Sequence, residues 1–370
     1  MVNPFKPTAG MTPPVLVGRD DVIDDFLDGL AEGPGAPGRL MRITGPRGSG
    51  KTVLLSEVGA LAREAGWVVV DVSGKEQMCA TILDQISQDN AVKKLNVTLS
   101  LPFVSAEASL EHGGQPETFR SAFADSVRAL SEADSGLMIA IDEAQDASPE
   151  EMTVLATNVQ YMIREGRNIC LVFAGITTGV LDLLNGEGLT FLRRAKPEEL
   201  AAIPIEDVAS ALRETIEQSG LQIEDAALAD AAEATHGYAY LIQLVGYCVW
   251  REGRRHVADT TVISRLDAKR GIDLARSEFE QAVLETAIAG LTKPAMEYLL
   301  AMTEDDGASS TMEVARRIGK PAPSANTYRR MLIERQIIEA TAPGYVAFSI
   351  PFMREYLMSN KARIMGRYGE

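Results

Sequence analysis

Cysteine is scarce in this chain of 370 residues: Cys79, Cys170 and Cys248 lie far apart, each inside an apolar run. That spacing excludes a disulfide framework and predicts free, buried thiols in a reduced, cytoplasmic setting. Histidine is equally scarce. His112, His236 and His256 stand alone, so no Cys/His metal-ligand spacing exists. No run of 18 apolar residues occurs, and no membrane-spanning helix is expected. The opening MVNPFKPTAGMTPP lacks the apolar stretch of a secretory leader; its Pro and Thr content predicts a flexible lead-in over residues 1–13.

Hydrophobic content of 46% and charged content of 24% are those of an ordinary globular protein, and the length suits two or three domains. A net charge of −16 argues against a surface coated for nucleic acid. The charge is uneven, however. Residues 311–370 carry ten Lys/Arg against five Asp/Glu, a net of +5, while the other 310 residues net −21. That asymmetry predicts a C-terminal module with a partner of its own.

Apolar runs at 39–45 (RLMRITG), 67–73 (WVVVDVS), 136–142 (GLMIAID) and 168–176 (NICLVFAGI) read as strands buried on both faces. Helical patterns separate them, from 50, over 76–88, over 116–133 and from about 149 to 165. The alternation predicts an α/β fold, a parallel sheet with helices on both faces, over residues 14–200. Residues 95–110 alternate apolar and polar around Pro102; they read as a β-hairpin inserted in the core, or as an edge extension. Residues 201–275 are Ala-rich, acidic and helical (205–220, 224–236 and 240–251), with no strand signal, and a helical connector runs from about 259 to 289. Residues 276–370 read as three short helices (294–302, 312–318, 324–335) and two strands around Ala342-Pro343-Gly344. That is the winged-helix order.

Gly45-Pro46-Arg47-Gly48-Ser49-Gly50-Lys51-Thr52 fits G-x-x-x-x-G-K-[ST] in full, between an expected strand and an expected helix. Backbone N–H groups freed by the glycines, together with the helix N-terminus, suit phosphate oxygens. Lys51 would meet the β- and γ-phosphates of ATP, and Thr52 would offer its hydroxyl to Mg²⁺. The strand LMIAIDE ends in Asp142 and Glu143. Asp142 is the candidate second Mg²⁺ ligand and Glu143 the candidate for polarising the attacking water; by itself the pair would sooner read as a helix cap, and it is the P-loop that favours the metal reading. No G-x-G-x-x-G follows an expected strand, which argues against a dinucleotide fold.

Val17-Gly18-Arg19-Asp20 ahead of the P-loop, Lys51, Asp142-Glu143 and the helical lid resemble AAA+ ATPases. Within them the chain is most similar to the origin-recognition and replication-initiator branch and to STAND-type ATPases. The resemblance implies that Val17, Gly18 and Arg19 lie on the adenine side of the nucleotide. It implies a polar sensor at the end of the fourth strand, where Thr177 is the nearest candidate although Ala174 holds the more usual place. It also implies an arginine finger at Arg193 or Arg194 that reaches a neighbouring copy, hence a nucleotide-dependent homo-oligomer; the alternative is a pair of solvated basic residues. The lid departs from the pattern. His236-Gly237-Tyr238-Ala239-Tyr240 carries no Arg, and Tyr240 stands in its place, so hydrolysis is expected to be slow and the nucleotide to act as a switch. His236 is a candidate phosphate contact or a simple cap.

In the winged helix, residues 324–335 would be the recognition helix. Asn326, Thr327, Arg329 and Arg330 could face a DNA groove, with Arg316, Arg317 and Lys320 adding charge from the preceding helix. Two readings follow: an ATP-dependent switch on DNA, or a STAND-like signalling ATPase whose winged helix and 95–110 hairpin bind protein.

Overall fold

The computed structural model describes residues 1–8, 10–11, 13, 15–75, 77–94, 116–186, 188–255 and 260–368. They divide into two units. One comprises Gly18–Gly45 and Gly50–Ala201; the other comprises Met1–Val17, Pro46–Ser49 and Ala202–Glu370. The expected hairpin at 95–110, and the protein partner assigned to it, lie outside the described residues.

The first unit opens with α1 (Asp20–Glu32) and then alternates strand and helix. Its strands are β1 (Leu40–Thr44), β2 (Val68–Ser73), β3 (Leu137–Asp142), β4 (Ile169–Gly175) and β5 (Lys196–Glu199). Between them run α2 (Lys51–Glu64), α3 (Met78–Gln88), α4 (Asn90–Lys94), α5 (Pro116–Glu132), α6 (Pro149–Arg164) and α7 (Thr177–Leu184). All five strands are parallel, in the order β2-β3-β4-β1-β5. β4 buries every residue and β3 all but Asp142, as a sheet covered by helices on both faces requires. Local signals set the helix ends: Ser148 caps α6 by accepting the Glu151 N–H at 3.1 Å, with Pro149 at the first helical position. Register aligns the strand ends. Thr44 faces Gly175 on one side and Glu199 on the other, and Ser73 faces Asp142, so the loops that follow leave from one edge.

The second unit holds the expected lid and winged helix, and both share one core that runs from Phe5 to Ile364. Its first part is α8 (Ile205–Gln218), β6 (Gln222–Ile223), α9 (Asp225–Glu233), α10 (Ala239–Arg254), β7 (Val262–Ile263) and α11 (Arg265–Phe279). A π-turn over Glu280–Leu284 and the short α12 (Glu285–Ile288) lead on to α13 (Lys293–Met302), β8 (Ser309–Ser310), α14 (Thr311–Arg317) and α15 (Ala322–Glu334). β9 (Ile338–Ala342), β10 (Tyr345–Phe348) and α16 (Met353–Gly366) complete the winged helix, whose antiparallel sheet has the order β8-β10-β9. Trp250, fully buried in α10, satisfies its indole by donating to Ser219 Oγ at 2.7 Å.

Besides adding α1, β5, β8 and α16, the structure differs from the sequence expectation in the lid, the connector and the lead-in. The lid carries a two-residue parallel pairing, β6 with β7, where no strand is expected. The helical connector starts later than expected, at Arg265, behind a reciprocal Ser264–Asp267 capping box. The lead-in is not loose: Phe5 is buried, Asn3 Nδ2 donates to the Tyr247 carbonyl at 3.0 Å, and the Lys6 N–H donates to Gln243 Oε1 at 3.1 Å. One aromatic anchor outweighs the Pro-rich composition around it.

Candidate nucleotide site

The loop between β1 and α2 has the geometry that phosphate binding needs. Gly48 (φ 76°) and Gly50 (φ 92°) both adopt left-handed backbone, and Gly50 is the N-cap residue of α2. This turns the first N–H groups of α2 and the positive end of its dipole outward from the strand edge. Lys51 is buried, and its Nζ donates to the Gly45 carbonyl at 3.0 Å. The loop tip, Pro46–Ser49, groups with the second unit. There the Tyr238 hydroxyl donates to the Arg47 carbonyl, and the Tyr240 N–H donates to the Gly48 carbonyl at 3.3 Å. Tyr238 is buried, which pushes its phenol up to about 12 and keeps it a neutral donor.

Thr52 Oγ1 and Asp142 Oδ2 lie 2.7 Å apart in a hydrogen bond, although 90 residues separate them in sequence. One hydroxyl and one carboxylate, all oxygen, form a donor set suited to a small hard cation that draws its other ligands from phosphate and water. The residues therefore fit Mg²⁺. Among the described residues there is no group of three or more His, Cys, Asp or Glu side chains able to hold a metal ion without such added ligands.

Asp142 Oδ1 accepts the Glu143 N–H at 3.0 Å. Glu143 takes left-handed backbone (φ 49°) ahead of the short 3-10 turn Ala144–Asp146. A glutamate held there is worth noting, since non-glycine residues rarely adopt that region. Its carboxylate Oε2 accepts from Gln145 Nε2 at 2.7 Å, and Gln145 Oε1 accepts the Ile176 N–H at 3.1 Å. Gln145 is not legible in the sequence, because a single polar residue after the acidic pair carries no pattern. Thr177, the candidate sensor, opens α7 instead of ending β4, whose last residues Ala174 and Gly175 are buried.

The remaining candidates are scattered. Arg19 donates to the carbonyls of Gly18 (3.3 Å) and Ala201 (3.2 Å), while Val17 packs into the core of the second unit. Arg193 Nε donates to the Leu184 carbonyl at the end of α7 at 2.7 Å; Arg194 is exposed and makes no side-chain hydrogen bond or ion pair among the described residues. His236 meets the Phe352 ring edge-on at 4.5 Å. In the winged helix, Asn326, Thr327 and Arg330 are exposed, and Arg330 pairs with Glu334 at 3.1 Å. Arg316 pairs with Glu313, while Arg317 is turned inward onto Asp305 with two 2.7 Å bonds. Arg329 is half-buried, with its Nε enclosed. The three cysteines are free, and burial pushes each thiol up to about 12, away from reactivity. Among the described residues no helix is long and apolar enough to cross a membrane.

Residues 15–172 match the AAA ATPase domain family, and residues 281–357 match a domain family of unknown function. No curated protein matches the sequence. Solved structures do. The ORC2 protein of Aeropyrum pernix, described in ADPNP–ADP complexes, is similar over 98% of both chains, with a TM-score of 0.63 at 13% identity. A Walker-type ATPase of Pyrococcus abyssi gives a TM-score of 0.63 at 15% identity, over 93% of this chain and 96% of that one. Cdc6p of Pyrobaculum aerophilum gives 0.53 at 16% identity, over 98% and 97%. At such identities the likeness is one of fold, and it extends through the winged helix.

Proposed function

Residues 15–172 being an AAA ATPase domain in a chain that resembles origin-recognition proteins in fold, we propose that this protein is a slow, ATP-driven switch that engages DNA through its winged helix. The observation that carries the reading is the 2.7 Å approach of Thr52 to Asp142 beside the P-loop. ATP takes its phosphates onto the N–H groups of the loop and the N-terminus of α2, with Lys51 supplying positive charge. Thr52 and Asp142 would hold Mg²⁺, which would supply positive charge to neutralise the phosphates. Glu143 orients and polarises the water that attacks the γ-phosphorus, releasing ADP and phosphate. The nucleotide complexes of the Aeropyrum protein support ATP as the ligand. The lack of an arginine over residues 236–241, where the helix α10 of the lid begins, supports slow turnover, and the free thiols, buried at Cys170 and Cys248 and half-buried at Cys79, support a reduced, cytoplasmic setting. Of the two finger candidates, Arg194 is the better placed to reach a neighbouring copy's γ-phosphate, because Arg193 is already engaged at the end of α7.

Two measurements test this. Glu143→Gln should retain ATP binding and stall hydrolysis; normal turnover in that variant overturns the role of Glu143. A gel-shift series with random duplex DNA, at low salt with ATP, should show retarded complexes. Absence of binding there overturns the DNA half of the reading.

A second reading has an observation of its own. Arg316, Arg317 and Arg330 each face a carboxylate, which reduces the positive charge offered to phosphates and favours a winged helix that binds protein. It predicts nucleotide-dependent oligomers with no affinity for DNA.

A further inference from the structure

Gln145 lies between two parts of the first unit that the reaction must coordinate. Its Nε2 donates to Glu143 Oε2 at 2.7 Å and lies 3.5 Å from Asp146 Oδ1; its Oε1 accepts the Ile176 N–H at 3.1 Å. The orientation of the amide is not arbitrary. A backbone N–H can only donate, so the oxygen must face Ile176, which turns the NH₂ toward the carboxylate. Glu143 Oε1, by contrast, makes no hydrogen bond among the described residues.

The surroundings are shaped to seat this side chain. A Cβ at Gly175 would collide with Gln145 Oε1, and one at Gly179 would stand 2.6 Å from Gln145 Cβ and 3.0 Å from its Cγ. Two glycines, one ending β4 and one in α7, thus leave the room that Gln145 fills. Ile176 is the N-cap residue of α7, so the amide ties Glu143 to the junction of β4 and α7.

We propose that Gln145 is a positioning residue: it anchors Glu143 by one carboxylate oxygen and thereby presents the other to the attacking water. The inference rests on the hydrolysis reading above. A carboxylate on a side chain with free rotamers samples many orientations, and only some accept a proton from water in line with the γ-phosphorus. Fixing one oxygen selects among them. The anchor acts on the chemical step and not on nucleotide affinity, because Gln145 is not among the groups assigned to ATP.

The test measures steady-state ATP turnover and binding of a non-hydrolysable ATP analogue, with Mg²⁺ and the full chain, in four variants. Gln145→Glu keeps the shape but removes the donor. Gly179→Ala leaves Gln145 in the sequence but fills its seat, and alanine suits a helix, so folding is not strained by propensity. Both should lower kcat about tenfold or more, with KM and analogue affinity within about twofold of wild type. Adding Gln145→Glu to Glu143→Gln should change the residual rate by less than about twofold, since the anchor has lost its target. Unchanged kcat in both single variants overturns the inference, as does loss of analogue binding in both. So does an equal loss from Gln145→Glu when Glu143 is already replaced. A wild-type chain that binds the analogue without turning over ATP, or a Glu143→Gln variant at full rate, overturns the hydrolysis reading and this inference with it. Failure of the anchor alone leaves Glu143→Gln stalled and the Gln145 variants active.

Discussion

Thr52 Oγ1 donates to Asp142 Oδ2 at 2.7 Å, joining the first turn of α2 to the end of β3. Asp142→Asn keeps an oxygen able to accept from Thr52 but removes the negative charge that a divalent cation requires. ATP affinity with Mg²⁺ should therefore fall about tenfold or more, while affinity with the metal chelated changes little. Equal losses with and without Mg²⁺ would place Asp142 outside metal binding. Titration of the variant with ATP in both conditions decides it.

The two finger candidates separate by what each already holds. Both are exposed, but Arg193 caps α7 through the Leu184 carbonyl, whereas Arg194 makes no side-chain hydrogen bond among the described residues. Arg194→Ala should lower turnover at high protein concentration and leave ATP affinity unchanged. Mixing it with Lys51→Ala, which is expected to lack turnover of its own, should restore part of the rate, because one copy then supplies the finger and the other the nucleotide. No recovery on mixing argues against action between copies.

Much of this fold was legible because its signals are local or periodic. The P-loop, the four apolar strands and the helix starts each occupy a short window, and parallel burial makes those strands nearly uniform in hydrophobicity. β5 (KPEE) was not legible: a polar edge strand of four residues owes its pairing to β1 and not to its own composition. Arg317 reads as a basic surface residue, yet its partner Asp305 is 12 residues away, beyond helical periodicity. Gln145 was hidden for the same reason, since Ile176 lies 31 residues further on.

Arg317 is 16% exposed and holds Asp305 by a two-bond fork, with a third bond to the Ala301 carbonyl at 2.9 Å. That makes it a structural arginine of the winged helix. Arg317→Ala should destabilise the second unit by about 1–3 kcal/mol, measured by urea unfolding. The hydrogen bond from Arg317 holds the Asp305 carboxyl below its ordinary range. Its stabilisation is thus present above the unfolded-state pKa and is lost as pH falls through the lower folded value. The variant should show a flatter stability loss on that acid side. An unchanged profile would mean that Asp305 is held by other groups.

Phe5 is 1% exposed, and its ring rests where Gly246 leaves no side chain; a Cβ there would come within 2.8 Å of Phe5 Cζ. Burying an aromatic ring this fully contributes enough that Phe5→Ala should cost about 3 kcal/mol of stability. Gly246→Val should do similar damage by expelling the ring from the other side. Neither change alters the P-loop, so ATP affinity at a temperature where the protein stays folded should persist. Unchanged urea midpoints in both variants would show that the lead-in contributes nothing to the core.

Arg330 pairs with Glu334 at 84% and 62% exposure, a geometry worth little in water and readily exchanged for a phosphate. If α15 is the DNA-facing helix, Arg330→Ala weakens duplex binding on all sequences and reduces the salt slope of log K by about one. Glu334→Ala should do the opposite in affinity, because it frees the guanidinium and removes a like charge from the path of the phosphate. Asn326→Ala would act on sequence preference more than on the slope, since an amide reads base edges and releases no counterion. The opposite signs at positions 330 and 334 distinguish a nucleic-acid face from a protein-binding one. Loss of an ion pair in a protein contact would shift both variants the same way.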